Sequence, residues 1–442
     1  MKPTVLLALF GWPIVSLFFY SVLHPRRALL ASVLLGWMFL PVASYKFASG
    51  IPEYTKVTAT VLGPLLGLVF FDLKRLETLR PSWADLPMVV WCLVPLAASV
   101  SNGLGPYDGF SGIYYKTIMW GIPYLFGRLY CSTLIGIRDL AMAIFVGGLV
   151  YIPFCLFEIK MSPQLHSWVY GYHQHQFGQS IRFGGWRPTV FMEHGLMVGM
   201  WMAMATLSGV WLWSTRALRS FFRVPMIWLL LALFGTTVLC KSLGALFLLM
   251  VGFGVLLAMR IRAARIPILV ALALTAPLYF VLRIPNVWTG EELTNAATIV
   301  SLERSDSLKF RLANEELLMK RASMRPVFGW GGWGRARVRD EMGRDISVTD
   351  GLWIIVLGNE GLVGLSAMTA FFLFPLFGLL RSCPPLAWRH PLISPAVAMT
   401  VVVLLFFIDC IFNAMFHPAY AIAAGGLVHL VLNAGKRRAK PL

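Results

Sequence analysis

Charge is what this chain lacks. Only 13% of its 442 residues are Asp, Glu, Lys or Arg, while 58% are apolar; soluble domains carry about 25% charged residues. No long hydrophilic block stands apart from the apolar runs, which argues against a string of soluble domains. Cysteine is sparse as well. Cys92, Cys131, Cys155, Cys240, Cys383 and Cys410 are scattered, mostly in apolar runs, with no CxxC or zinc-like spacing. That pattern argues against a disulfide framework and reads as buried free thiols. No Walker A or GxGxxG pattern suits a nucleotide fold, and neither an internal repeat nor a low-complexity tract is present. No convincing small-residue cleavage site follows the first apolar run, Val5 to Leu23, which therefore reads as a retained helix.

What is present is a recurrence of apolar runs, many of about 17 to 25 residues, the length a bilayer requires. Candidate spans cover 5–23, 28–45, 57–71, 86–100, 113–130, 139–157, 190–213, 226–240, 243–259, 266–282, 352–379, 393–413 and 418–434. The fold expected is one all-α polytopic membrane domain over 1–442, with about 12–14 transmembrane helices. The 38 Lys and Arg outnumber the 20 Asp and Glu, for a formal net charge of +18. Much of this excess sits in short polar breaks: "HPRR" (24–27), "DLKRLETLR" (72–80), "RALRSFFR" (216–223), "RIRAAR" (260–265) and "KRRAK" (436–440). They alternate with breaks poor in Lys and Arg, which is a topology signal and not a nucleic-acid footprint. It places the C-terminus in the cytoplasm and the N-terminus outside.

Two external loops are then long, 159–189 and 284–351. The second carries ten basic and ten acidic residues from Ile284 to Asp350. Within it "SLKFRLANEELLMKRA" (307–322) has the pattern of an amphipathic helix lying on a membrane surface. The glycine-rich "PVFGWGGWG" (326–334) follows.

Ionisable groups at a bilayer edge are costly and usually have a partner or a task. At the external level lie Arg182, Arg187, Glu193, His194, Lys241, Arg311, Arg325, Asp350, Asp409 and His417. A cationic cluster there suits an anionic group such as phosphate, and arginine's planar fork suits it best. Plainer roles compete. Arg187 and Glu193 would make a structural ion pair at a helix entrance, His194 a packing histidine, and Lys241 a snorkelling one. Asp409, Asn413 and His417 are spaced to share one helix face, as apt for a neighbouring helix as for a ligand. His173 and His175 alone are too few for a metal site. Trp186, Trp330 and Trp333 suit sugar stacking or interfacial anchoring.

Four stretches carry a resemblance: "SIRFGGWRPTVFMEHGLMVGM" (180–200), "CKSLGALFLLMVGF" (240–253), "FRLANEELLMKRASMRPVFGWGGWG" (310–334) and "TDGLWIIVLGNEGLVGL" (349–365). In order and spacing they resemble the O-antigen ligase and O-antigen polymerase superfamily of bacterial envelope glycosyltransferases. The likeness covers most of 180–365, whereas the first half of the chain matches only in being hydrophobic. It implies transfer of a glycan from a polyprenyl diphosphate to an acceptor hydroxyl at the outer face of the inner membrane, without nucleotide sugar, cofactor or metal. Arg187 and Arg311 would contact the diphosphate. Ligases of the family carry a His-Asn pair where this chain has Thr349-Asp350, so Asp350 becomes the candidate base. Leu243 stands where many members have arginine, so Lys241 would supply that charge.

The expected function is polymerisation of polyprenyl-diphosphate-linked oligosaccharide into O-antigen or exopolysaccharide. Asp350, Arg187 and Arg311 would be catalytic; Arg182, Arg187, Glu193, Lys241, Arg311 and Arg325 would bind substrate. Expected partners are the lipid-linked glycan, membrane lipids and a chain-length regulator protein, with no nucleic acid. The expected location is the bacterial inner membrane, with the site on the periplasmic side. Rival readings are a ligase of the same superfamily, a secondary transporter of an anion, and a purely structural role.

Overall fold

The computed structural model describes residues 2–300 and 302–437. The chain is a helical membrane protein. Its helices are α1 (Pro3–Val22), α2 (Pro25–Phe39), α3 (Lys56–Phe71), α4 (Leu86–Ser101), α5 (Pro106–Lys116), α6 (Ile122–Tyr130) and α7 (Leu134–Met161). Then come α8 (Leu165–Tyr170), α9 (Gly195–Ser214), α10 (Met226–Leu239), α11 (Leu243–Ala258), α12 (Arg265–Arg283), α13 (Glu291–Val300) and α14 (Leu302–Ala322). The chain closes with α15 (Leu352–Ser382), α16 (Ser394–Asp409) and α17 (Pro418–Arg437). Among the described residues, strands occur only as three two-residue hairpins.

Among the described residues, six helices are long and apolar enough to cross a membrane: α1, α4 with its preceding turn, α7, α9, α12 with its preceding turn, and α15. Others, including α3, α10, α11 and α16, are apolar but shorter. Proline opens many of them, at Pro3, Pro25, Pro87, Pro106, Pro123 and Pro395, where its missing N–H costs little. The outer helices turn large apolar side chains outward, such as Leu7 and Ile14 on α1, Trp228 on α10, Phe247 on α11 and Val281 on α12. A surface of that kind suits lipid, not water. The described part of α16 is instead buried on nearly every side. Where α6 meets α17 the backbones approach so closely that a Cβ on Gly127 or Gly425 would collide with a backbone carbonyl of the partner helix.

The loops gather at two ends. At one end the Val42 N–H donates to His166, Lys56 to the Phe191 carbonyl, Arg187 to the Lys241 carbonyl, Asn102 to the Gly329 carbonyl and Arg311 to the Phe412 carbonyl. At the other, Arg26 bonds Asp139, Arg128 bonds Asp85, Arg138 reaches the Ala217 carbonyl and Arg265 the Pro385 carbonyl.

Four local expectations need correcting. The span at 113–130 is not one α-helix: α5 passes through a π-helical turn, Thr117–Gly121, into α6. The span expected from 190 starts at Gly195, so Glu193 lies before it and not inside it. The helix in the large loop is longer than 307–322 and does not lie free on a membrane surface. It lays Leu312, Glu315, Leu318 and Met319 inward, because Glu315 is held by Tyr279 of α12 and Trp353 of α15. Asp409 ends α16, so Asn413 and His417 do not continue its face; they sit in the corner before α17.

One helix break matters for the loop above it. Gly361 within α15 has φ 66 and ψ −162, a conformation open to glycine and to little else. The broken turn is repaired from outside. The Trp330 N–H donates to the Gly358 carbonyl (2.8 Å) and the Leu362 N–H to the Pro326 carbonyl (2.7 Å). The 326–334 stretch is thus stitched onto α15, as irregular backbone in a membrane protein requires.

Candidate active site

The stretch before α9 is irregular backbone held by one carboxylate. Glu158, near the end of α7, is fully buried and accepts from the N–H groups of Thr189 (2.8 Å), Val190 (2.7 Å) and Leu165 (3.1 Å). Val190 sits at φ 52, a strained position for a β-branched residue. Gln174 adds bonds to the Thr189 hydroxyl and to the Val190 and Met192 carbonyls. A hairpin just upstream pairs Ile181 with Trp186 and Arg182 with Gly185 across Phe183 and Gly184, both left-handed. Arg187 continues from it, its N–H donating to the Ser180 carbonyl at 2.7 Å.

Arg187 is buried, and its guanidinium donates to the Lys241 carbonyl at 3.1 Å. Its aliphatic stem fills the space that a side chain at position 195 would need. Lys241 occupies the left-handed corner between α10 and α11 (φ 52), and its ammonium reaches the Phe183 carbonyl at 3.3 Å. His194 caps α9: its Nδ1 accepts from the Leu196 N–H at 3.0 Å, so Nε2 carries the ring proton, 3.4 Å from the Gln179 amide oxygen. Burial first, then the charges of His175, Arg187, Arg182 and Arg311, push this imidazole down to about 4. His194 is therefore neutral at ordinary pH, and three guanidinium groups act on it at once.

Arg311 comes from α14. Its Nε lies 3.5 Å from the Asp350 carboxylate, and its Nη1 donates to the Phe412 carbonyl at 3.1 Å. Both side chains of the pair remain partly exposed. Asn314, one turn along, accepts from the Val348 N–H at 2.7 Å and so fixes the approach to Asp350. Asp409 is buried and accepts from the Asn413 amide at 2.7 Å.

The structure thus gathers Arg182, Arg187, His194, Lys241, Arg311, Asp350 and Asp409 at one end of the bundle, from the hairpin, three helix ends and the long loop. Three of the residues expected at this level lie apart. Glu193 lines a neighbouring cavity of about 420 Å³ with Lys56, Thr58 and Tyr115. Arg325 lies beyond the end of α14, beside Trp330, in a different cavity. His417 turns into the bundle and stacks on Trp201 at 4.5 Å, a packing role. Trp186 packs on Phe177 at 5.2 Å.

Sequence reasoning passed over Glu158, Gln174 and Lys56. Lys56 is buried, with its ammonium 2.7 Å from the Phe191 carbonyl and 5.8 Å from the Trp37 ring. The available signal was position: Lys56 heads an apolar run and Glu158 closes one, each a charge at a bilayer edge. Chemically, the assembled end offers fixed guanidinium groups, one neutral imidazole and a carboxylate beside a cation. No protein-family model matches the chain, and a search of curated proteins returned no match.

Proposed function

We propose that this chain is an integral-membrane glycosyltransferase that polymerises polyprenyl-diphosphate-linked oligosaccharide. The observation that carries the proposal is that Arg182 and Arg187, from the hairpin before α9, and Arg311, from α14, come to the same end of the bundle, with Arg187 bonded to the Lys241 carbonyl and Arg311 to the Phe412 carbonyl. Fixed guanidinium groups suit a diphosphate, above all the charge that develops as it departs. An acceptor hydroxyl attacks the anomeric carbon, and the bond from that carbon to the diphosphate oxygen breaks. The electron pair leaves with the diphosphate, and the hydroxyl proton passes to Asp350. Asp350 is 3.5 Å from Arg311, so base and anion holder are adjacent. The resemblance of residues 180–365 to O-antigen polymerases and ligases supports the same reading. In it the chain crosses a bacterial inner membrane about thirteen times, with the Arg187 end facing the periplasm.

The test is turnover by the purified full-length protein in liposomes given a polyprenyl-diphosphate oligosaccharide. A ladder of products is expected, with Arg187→Gln and Arg311→Gln each lowering the rate by about 100-fold. Unchanged ladders in both variants would overturn the proposal. Single transfer to a lipid acceptor would make the protein a ligase, and uptake of a small anion without transfer would make it a transporter.

A further inference from the structure

The cavity beside Trp330 is not the arginine cluster just described. It measures about 720 Å³ and lies between the α4–α5 turn, the end of α14 and the 330–339 stretch. Its lining is basic and aromatic: Lys320, Arg321, Arg325 and Arg339, with Trp330 and Trp333. The Arg321 guanidinium lies 3.4 Å from the centre of the Trp330 ring and the Arg325 guanidinium 5.4 Å from it. The Trp330 indole N–H is occupied by the Arg321 carbonyl at 2.8 Å, which fixes the ring in place.

Charge balance within this cavity is uneven. Arg335 is neutralised by Asp108 through two bonds of 2.9 and 3.0 Å, and Arg337 by Asp345 at 2.6 Å. Lys320 bonds Glu316 at 2.9 Å on the outer surface. Among the described residues no carboxylate pairs with Arg321, Arg325 or Arg339, and the buried Nε of Arg321 has no hydrogen-bond partner. The backbone beside it is tied to α15. Gly329 and Gly331 hold left-handed conformations, and the Gly331 N–H donates to the Asn359 carbonyl at 2.9 Å on α15.

From this we infer that the cavity binds an acidic saccharide, one bearing carboxylate or phosphate groups, by stacking a sugar ring on tryptophan and pairing its anions with Arg321, Arg325 and Arg339. A cavity of this size takes a ligand of several rings and not a lone ion. Guanidinium groups bind carboxylates and phosphates through paired hydrogen bonds. Lys320 follows Arg311 by nine positions on α14, about 14 Å along the axis at 1.5 Å per residue and about half a turn around it. That this saccharide belongs to the transferred glycan rests on the transfer reading above; the binding itself does not.

The test is equilibrium binding of a galacturonic acid hexamer to the full-length protein in neutral-lipid nanodiscs, followed by tryptophan fluorescence. The fully methyl-esterified hexamer serves as the uncharged control. The acid is expected to bind at least about tenfold more tightly than the ester, and Arg325→Gln or Arg339→Gln to weaken it about tenfold. Arg187→Gln should leave it unchanged. Equal binding of acid and ester, or no effect of either cavity variant, would overturn the assignment. So would displacement of the acid hexamer by inorganic phosphate at equal concentration, which would mean a simple ion site. Binding of phosphatidylglycerol vesicles through the same arginines, with none of the hexamer, would mean a membrane-docking surface instead. If the hexamer binds as expected but Arg187→Gln and Arg311→Gln leave transfer intact, the transfer reading fails and the cavity stands. If transfer depends on both and the hexamer does not bind, only the cavity assignment fails.

Discussion

At the scale of single residues, one buried carboxylate sets the site. Glu158 spends both oxygens on backbone N–H groups, two of them in the stretch that carries Arg187 into α9. Glu158→Gln replaces one accepting oxygen with a donor that faces an N–H. It is expected to cost about 2 kcal/mol or more, read as a lower Tm in detergent and as loss of transfer at equal protein level. An unchanged Tm would show that the stretch holds itself. Asp350→Asn tests a separate role: transfer is expected to fall about 100-fold with polyprenyl diphosphate binding retained, and full activity would remove Asp350 as the base. Arg187 and Lys241 were legible in the sequence because ionisable residues are scarce in the apolar runs and these two stand beside helix ends; Arg311, inside α14 in a charge-rich loop, was marked by the resemblance of 310–334. Glu158 was legible only as a charge closing an apolar run; its partners are backbone groups of residues 165, 189 and 190, which no side-chain pattern encodes.

At the scale of elements, two features decide where the long loop sits. The break at Gly361 gives the 326–334 stretch its hydrogen-bonding edge, and a Cβ there would also collide with the Val327 backbone. Gly361→Ala is expected to release that stretch at a cost of about 1–3 kcal/mol, visible as faster proteolysis between 323 and 350. Unchanged proteolysis would contradict it. The second feature is Glu315, which anchors α14 through Tyr279 (2.7 Å), Trp353 (3.4 Å) and Arg283 (3.5 Å). Burial raises its carboxyl to about 7, opposed by those same three groups. An unfolded Glu titrates near about 4.3, so the folded state holds the proton more tightly. The stabilisation from this group is complete below the unfolded value and is lost as pH rises toward about 7. The wild-type Tm should thus fall between pH 4.5 and 7 relative to Glu315→Gln, and parallel curves would refute the assignment. Neither feature was readable beforehand. Apolar runs disguise a broken helix, since the break changes no hydropathy, and the amphipathic pattern of α14 does not say whether lipid or protein covers it.

At the scale of the whole molecule, helices and loops sort into a lipid-compatible belt with two unlike ends. One end collects the basic breaks at 24–27, 72–80, 216–223 and 260–265, and the other collects the Arg187 cluster and the long loop. The six native cysteines are all buried, so single introduced cysteines report on sidedness against a quiet background. In sealed vesicles, Ser44→Cys and Ser323→Cys should react with an impermeant maleimide from one side, and Glu77→Cys and Ser220→Cys from the other. Labelling of all four from one side would break the two-ended arrangement. Composition made the membrane class legible, because length and apolarity are all a span needs. The basic breaks placed these arginines at one external level in the sequence, but not the contacts each makes there, which depend on how the hairpin, α14 and the α10–α11 corner meet in space. The central claim is that this convergence holds a lipid diphosphate. Its most direct test is the equilibrium affinity of the full-length protein, in nanodiscs, for a polyprenyl diphosphate. The account predicts saturable binding that Arg187→Gln and Arg311→Gln each weaken by about tenfold or more. Equal affinity in the wild type and both variants would contradict it.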